Sequence, residues 1–155
     1  EWGQWLEWNC DSELQWNLLQ NDSHQGIQRL VADLNQLYQS ESAMHRFDFS
    51  YEGFEWIDCH NHQDSILAYL RKSESEKDFL IVCANLTPKV HQNYRVGVPK
   101  LGHYQEVLNT DSEYYGGTNV GNGLGVQAEK IAHHERPYSL TLTLPPLAVV
   151  VLKMD

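Results

Sequence analysis

The chain has 155 residues, 41% of them hydrophobic, which suits one ordinary domain with a packed core, or one domain plus the end of another. Its 21 acidic side chains against 11 basic ones give a formal charge of −10, which opposes both a phosphate backbone and an anionic membrane surface. Neither nucleic acid nor a membrane is an expected partner, whereas a neutral polysaccharide meets no such penalty.

No apolar run approaches the roughly 20 residues needed to cross a bilayer. The longest, Leu147 to Leu152, reads as a buried strand. Cys10, Cys59 and Cys83 are odd in number and follow no framework spacing, so reduced thiols and a cytoplasmic location are expected. Cys83 lies inside the apolar run Phe79 to Ala84 and reads as a buried small hydrophobe.

The first segment, Glu1 to Asn9, holds three of the five tryptophans (Trp2, Trp5 and Trp8) and the carboxylates Glu1 and Glu7. With no initiator Met or signal peptide ahead of this cluster, the chain is expected to be a piece of a longer polypeptide. An amphipathic helix follows. Ile27, Leu30, Val31, Leu34, Leu37 and Tyr38 recur with the 3.6-residue period, and Asp22 or Ser23 suits the N-cap. Gln28, Arg29, Asp33, Asn35 and Gln36 should form its solvated face. A short second helical turn is expected around Ser42 to His45.

After residue 46 the period shifts to two. Strands are expected over Phe54–Asp58, Ser65–Lys72, Phe79–Leu86, Tyr94–Val98, His103–Leu108, Ser139–Leu144 and Leu147–Leu152. In the second of these, Ile66, Ala68 and Leu70 share one face, with Leu67 and Tyr69 on the other. Pro145-Pro146 interrupts the ladder because neither residue can donate an N–H. About seven or eight short strands divided by turn signals predict a mainly β chain built as an antiparallel sandwich. Ser73 to Asp78 reads as a polar hairpin end. Tyr115 to Gly125 has five glycines in eleven residues. It lacks the Lys-Ser/Thr ending and the strand–turn–helix frame of a phosphate loop, so tight turning is the expected role.

Chemistry-bearing clusters are sparse. Cys59-His60-Asn61-His62 with Asp64, and His133-His134 beyond, offer ligand types without the spacing of two separated ligand pairs. The first cluster should form a polar turn between strands. Ser65 and Ser139 fall mid-strand, and nothing places a thiol beside a base. Neither a metal nor a cofactor is expected. Glu1, Glu7, Asp11 and Glu13 crowd an aromatic loop. Glycosidases place a carboxylate pair beside a sugar, but ordinary loop acids fit the composition as well.

The motifs Glu1-x-Gly3-Gln4…Glu7-Trp8-Asn9, Gly26-Ile27-Gln28-Arg29-Leu30-Val31-Ala32-Asp33-Leu34-Asn35, Met44-His45…Phe54-Glu55-Trp56 and Asn85-Leu86-Thr87-Pro88 carry a resemblance. So do Glu106-Val107-Leu108-Asn109-Thr110-Asp111, Tyr115-Gly116-Gly117…Gly121-Asn122-Gly123 and Ser139 to Leu147. Over essentially its whole length the chain resembles the C-terminal end of bacterial glycogen (1,4-α-glucan) branching enzymes of the α-amylase superfamily. Trp2 departs from the pattern, which more often has Phe or a smaller apolar residue there.

The resemblance implies that residues 1–45 are the loop and last helix of a catalytic (β/α)8 barrel, and residues 46–155 a C-terminal β-sandwich. The helix would then pack on the barrel, or, in isolation, lie against the sandwich or drive dimerisation. It also implies a transferase that cleaves α-1,4 bonds by two-carboxylate double displacement and passes the chain to a 6-hydroxyl, making α-1,6 branches. The catalytic carboxylates of that family lie upstream of the Glu1 motif. No catalytic role therefore falls to Glu1 or Glu7, and the isolated chain should be inactive.

The implied partners are an α-glucan and the barrel of the same polypeptide. Gln4, Glu7 and Trp8 are candidate substrate contacts, because barrel active sites sit at the C-terminal ends of the strands. Trp5 and Trp16 are equally candidates for packing. A second hypothesis makes the sandwich a glucan-binding module using Tyr114, Tyr115, Tyr104 and Trp56, since aromatic rings can cover the apolar faces of sugars. A third is the corresponding domain of a debranching enzyme or a trehalose-releasing hydrolase.

Overall fold

The strict alternation of Ser139 to Leu144 requires a sheet with one buried face, and the structure supplies two such sheets facing each other. The computed structural model describes residues 1–155. A 3-10 turn (Trp16–Gln20) leads into α1 (Asp22–Ser40) and α2 (Ser42–His45), followed by β1 (Phe54–Asn61), β2 (Ile66–Lys72), β3 (Phe79–Asn85) and β4 (His91–Val98). Then come β5 (His103–Asn109), β6 (Val126–Gln127), β7 (Tyr138–Leu144) and β8 (Ala148–Met154). A six-stranded sheet runs β1-β2-β3-β8-β5-β6, a two-stranded one pairs β4 with β7, and every pairing is antiparallel.

The expected mainly β sandwich is therefore present. Its core lies between the sheets, where Ile66, Ala68 and Leu70 meet Ile81, Val96, Leu140, Leu142, Leu144 and Leu152, all buried. Each such Leu or Ile contributes on the order of 1.5–3 kcal/mol on leaving water. Cys83 is fully buried among them, and burial, helped by the charge of Asp58, pushes its thiol up to about 12.

The outer face of the six-stranded sheet carries a second cluster of Ala43, Leu80, Val82, Leu108 and Val151. Leu30 and Leu37 of α1, Met44, Tyr69 and Tyr115 close over it. Only one flank of the helix's apolar stripe is used in this way, while Ile27, Leu34 and Tyr38 stay exposed. The helix thus lies partially against the sandwich.

Several local expectations need correction. The N-cap is Asn21, not Asp22 or Ser23; Asp22 is the first helical residue, and its charge favours that end of the helix dipole. Asp33 is not on a solvated face: it accepts a hydrogen bond from the Tyr115 hydroxyl at 2.6 Å. Cys59, His60 and Asn61 belong to β1 rather than to a turn, because that strand runs on through register shifts past Trp56. Ser65 is not mid-strand; its φ of 49° places it in the β1–β2 turn. Leu147 is likewise a turn residue, 69% exposed with φ 48°, and the strand starts one residue later. Its N–H donates to the Thr87 carbonyl at 2.8 Å, tying down the turn that Pro145-Pro146 opens. β6, with two residues, was not anticipated, being too short to show a period.

Candidate functional site

The tryptophan-rich segment folds as an irregular loop held by two glutamines. Gln15 accepts the N–H groups of Trp5 and Leu6 on its Oε1, each at 3.0 Å. Gln4 accepts the Gln15 N–H at 3.1 Å and donates to the Leu6 carbonyl at 2.9 Å. Asn9 accepts the Asp11 N–H at 3.0 Å, the local side-chain turn that Asn favours. These bonds replace the secondary structure that the loop lacks. Sequence reasoning missed Gln15, which carries no periodic signal.

Trp2 anchors the loop. It is only 6% exposed, its carbonyl accepts from His24 Nδ1 at 2.7 Å, and Trp16 lies against its ring at 4.7 Å and 30°. A cleft of about 520 Å3 opens beside this pair, lined by Glu1, Gln4, Leu6, Trp8 and Leu14 together with Trp2 and Trp16. Trp2 Nε1 is buried there without a hydrogen-bond partner. Of the predicted residues, the structure brings Gln4 and Trp8 into one cleft and leaves Glu7 exposed outside its lining. Trp8 is 73% exposed, and Trp5, equally exposed, sets its ring edge-on to His24 instead of lining the cleft. Chemically, the cleft offers indole walls, an amide with a spare N–H, and a carboxylate. That set suits a polyhydroxylated ring, whose flat faces are apolar and whose rim is polar.

The aromatic candidates of the sandwich separate. Tyr104 is 0% exposed and belongs to the core, donating to the Lys100 carbonyl at 2.8 Å; burial pushes its hydroxyl up to about 12. It is not a surface aromatic. Tyr115 is half-buried, and burial followed by the Asp33 carboxylate raises its hydroxyl far above the usual range. Tyr114 is exposed, with the Arg29 guanidinium 5.4 Å from its ring centroid. The two tyrosine rings meet edge-on at 62°, so they do not make one flat wall. Trp56 is about half exposed and packs edge-on against Phe54 and Tyr69.

Turning is indeed what the glycine-rich loop does. Gly116, Gly123 and Gly125 take positive φ. Asp111 gathers the loop by accepting the Thr118 N–H at 3.0 Å, the Thr118 hydroxyl at 2.6 Å and the Val120 N–H at 3.1 Å. Burial opposes its ionisation, yet these bonds outweigh burial and hold its carboxyl below the usual range. Glu106 does the same for Asn122, accepting its N–H at 2.9 Å and its side-chain amide at 2.8 Å.

The His and Cys residues do not assemble a ligand shell; no three His, Cys, Asp or Glu groups converge in metal-holding geometry. His134 is tied into the fold instead. Its Nδ1 accepts the Gly97 N–H at 3.3 Å, and its Nε2 lies 3.5 Å from Asp58 Oδ2, which also accepts from the Tyr94 hydroxyl at 2.8 Å. Burial, and then the neighbouring His133, keep the His134 imidazole below the usual range against the pull of Asp58. A second cleft, of about 580 Å3, lies at the far end of the sandwich between Phe47, Leu70, Phe79, Lys72 and Arg136, and no sequence signal pointed to it. There Glu55 bridges Lys72 at 2.8 Å and Arg136 at 2.5 Å.

Residues 56–155 match the family described as alpha amylase, C-terminal all-beta domain. Along its full length the chain is 50% identical to a 1,4-alpha-glucan branching enzyme of Aquifex aeolicus and 48% identical to one of Thermosynechococcus vestitus. It is 53% identical over 150 residues to another from Cereibacter sphaeroides. It spans 25% of the Aquifex protein and 20% of the other two. No helix is long and apolar enough to cross a membrane. With its eight antiparallel strands and a match over residues 56–155, the chain belongs to the family of alpha amylase C-terminal all-beta domains.

Proposed function

We propose that this chain is the C-terminal part of a cytoplasmic 1,4-α-glucan branching enzyme, with residues 1–45 completing a catalytic barrel and residues 46–155 supporting it. One observation carries this reading. The identity to branching enzymes extends over all 155 residues, including the loop and helix that precede the matched sandwich family. The exposed stripe of Ile27, Leu34 and Tyr38 supports it, being an apolar face that the sandwich does not cover. In this reading an α-glucan chain is cut at an α-1,4 bond and transferred to a 6-hydroxyl. The carboxylates that do so are supplied by the barrel upstream.

The role left to this chain's own residues is contact with glucan at the tryptophan loop. Gln4 and Trp8 would bind there, with Glu7 at the margin, by stacking and by hydrogen bonds to hydroxyls. Binding on the sandwich itself through Tyr114, Tyr115 and Trp56 is the lesser reading. It is weakened by the edge-on geometry of the tyrosines and by the engagement of Tyr115 with Asp33. A chimaera tests the main proposal: the matching quarter of the Aquifex enzyme is replaced by this chain and the product is incubated with amylose. New α-1,6 linkages, read from their anomeric proton resonances, are the expected result. A folded chimaera that makes none contradicts the reading.

A further inference from the structure

The first half of α1 is gripped on two sides, by the glycine-rich loop of the sandwich and by the tryptophan loop. On the sandwich side, a Cβ at Gly26 would sit 2.1 Å from the Tyr115 carbonyl oxygen and 2.7 Å from its carbon. Both are backbone atoms, so no rotamer change could relieve the clash. A glycine inside a helix is less favourable than alanine, and here that cost accompanies a close backbone approach. Two helical turns further on, the Tyr115 hydroxyl donates to Asp33 Oδ2 at 2.6 Å. Between them Arg29 donates to the Tyr114 carbonyl at 3.4 Å. A backbone contact and a side-chain bond two turns apart fix both the distance and the register of the loop along the helix.

On the other side, His24 holds the Trp2 carbonyl, and Gly3, at φ 71°, lies close enough to Ile27 that an added Cβ would meet its Cδ1 at 3.5 Å. Gln25 donates to the Leu19 carbonyl at 2.8 Å and so holds the 3-10 turn that begins with Trp16. The two halves of the Trp2–Trp16 pair are thus attached to helix residues 24 and 25, next to Gly26.

We propose that Gly26 and Tyr115 are positioning residues: the glycine-rich loop clamps the start of α1 and thereby sets the place of the Trp2–Trp16 pair and its cleft. Only the consequence for glucan rests on the branching reading; the geometry stands without it. On this account Tyr115 is not a sugar platform. It reaches the substrate loop through the helix.

The test is 19F NMR of the full chain labelled with 5-fluorotryptophan, with each resonance assigned by single Trp→Phe changes. Trp56 on β1, four strands from β5 in the sheet order, is the internal control. In Tyr115→Phe and in Asp33→Ala the Trp2 and Trp16 resonances should shift by more than a line width while Trp56 stays within one. Asp33→Asn keeps an oxygen acceptor and should restore the parent spectrum. Gly26→Ala should give the largest shift; if it does not fold, Tyr115→Phe decides alone. Unmoved Trp2 and Trp16 in Tyr115→Phe would overturn the proposal, as would an equal shift of Trp56. No sugar is present, so this outcome is independent of whether the chimaera branches amylose.

Discussion

The sandwich and the tryptophan loop meet water in opposite ways. Between the sheets, residues from β2, β3, β4, β5, β7 and β8 close a core in which Ile81, Val96, Leu140 and Leu152 have no exposure. In the loop and the 3-10 turn after it, only Trp2 and Leu18 are buried, while Trp5, Leu6, Trp8 and Trp16 are exposed. The loop is nevertheless specified, because Gln4, Gln15 and His24 hold its backbone by hydrogen bonds. Burial fixes the one region and polar brackets fix the other. An apolar surface kept in place without being buried is available for contact, in keeping with the proposed glucan cleft and barrel interface.

Truncating one large side chain in each region separates the two modes. Leu152→Ala should cost about 2–5 kcal/mol, the usual range for a buried leucine that leaves a cavity. Trp8→Ala should stay within about 0.5 kcal/mol, as for other exposed positions. Urea unfolding measures both, and comparable losses would show that the loop shares the core. A smaller effect is expected where polar brackets serve the sandwich itself. Asp111→Asn should cost about 2–3 kcal/mol at pH 7 through its weakened charged hydrogen bonds.

That loss should depend on pH. The native Asp111 carboxyl titrates below its ordinary 3.8, so its contribution is full above that value and disappears as pH falls through the lower native one. The stability gap between parent and Asp111→Asn should therefore narrow as pH falls through the ordinary 3.8 and below it, tracked by the urea midpoint. A gap that widened on acidification would contradict the assignment. Glu55→Gln, which weakens the bridges to Lys72 and Arg136, should cost about 1 kcal/mol, since the carboxylate is only partly screened from water. Arg46→Ala, in an exposed pair with Glu74, should cost less than about 0.5 kcal/mol.

Much of the sandwich was legible because alternation is a direct record of a sheet with one buried face. Ile66, Ala68 and Leu70 declared their side, and the run from Phe79 declared a strand buried on both. Helix α1 was equally plain, but its environment was not. The 3.6-residue period shows where an apolar stripe lies, not which part of it a neighbour covers, so Leu30 and Leu37 could not be told from Ile27 and Leu34. Tyr104 and Tyr114 look alike in sequence, and only the β5 register puts the first inside. Ser65 and Leu147 sit next to apolar runs yet adopt positive φ, which a period does not report.

The candidate site was legible only in outline. Trp8 and Gln4 were readable through the resemblance, whereas Gln15 and His24 act through single long-range bonds that leave no pattern. Gly26 did leave one: a glycine within a strong helical period marks a close approach. Tyr115→Ala would disturb the cluster over the outer sheet face, so Tyr114→Ala is the clean probe of sandwich binding.

The most direct measurement places both regions in one assay: branching of amylose by the Aquifex chimaera carrying either Trp8→Ala or Tyr114→Ala. Loss of a stacked indole should lower kcat/KM at least about tenfold, equivalent to roughly 1.4 kcal/mol. Tyr114→Ala should leave it unchanged. An unchanged rate in Trp8→Ala with a loss in Tyr114→Ala would contradict the account and move the glucan contact from the loop to the sandwich.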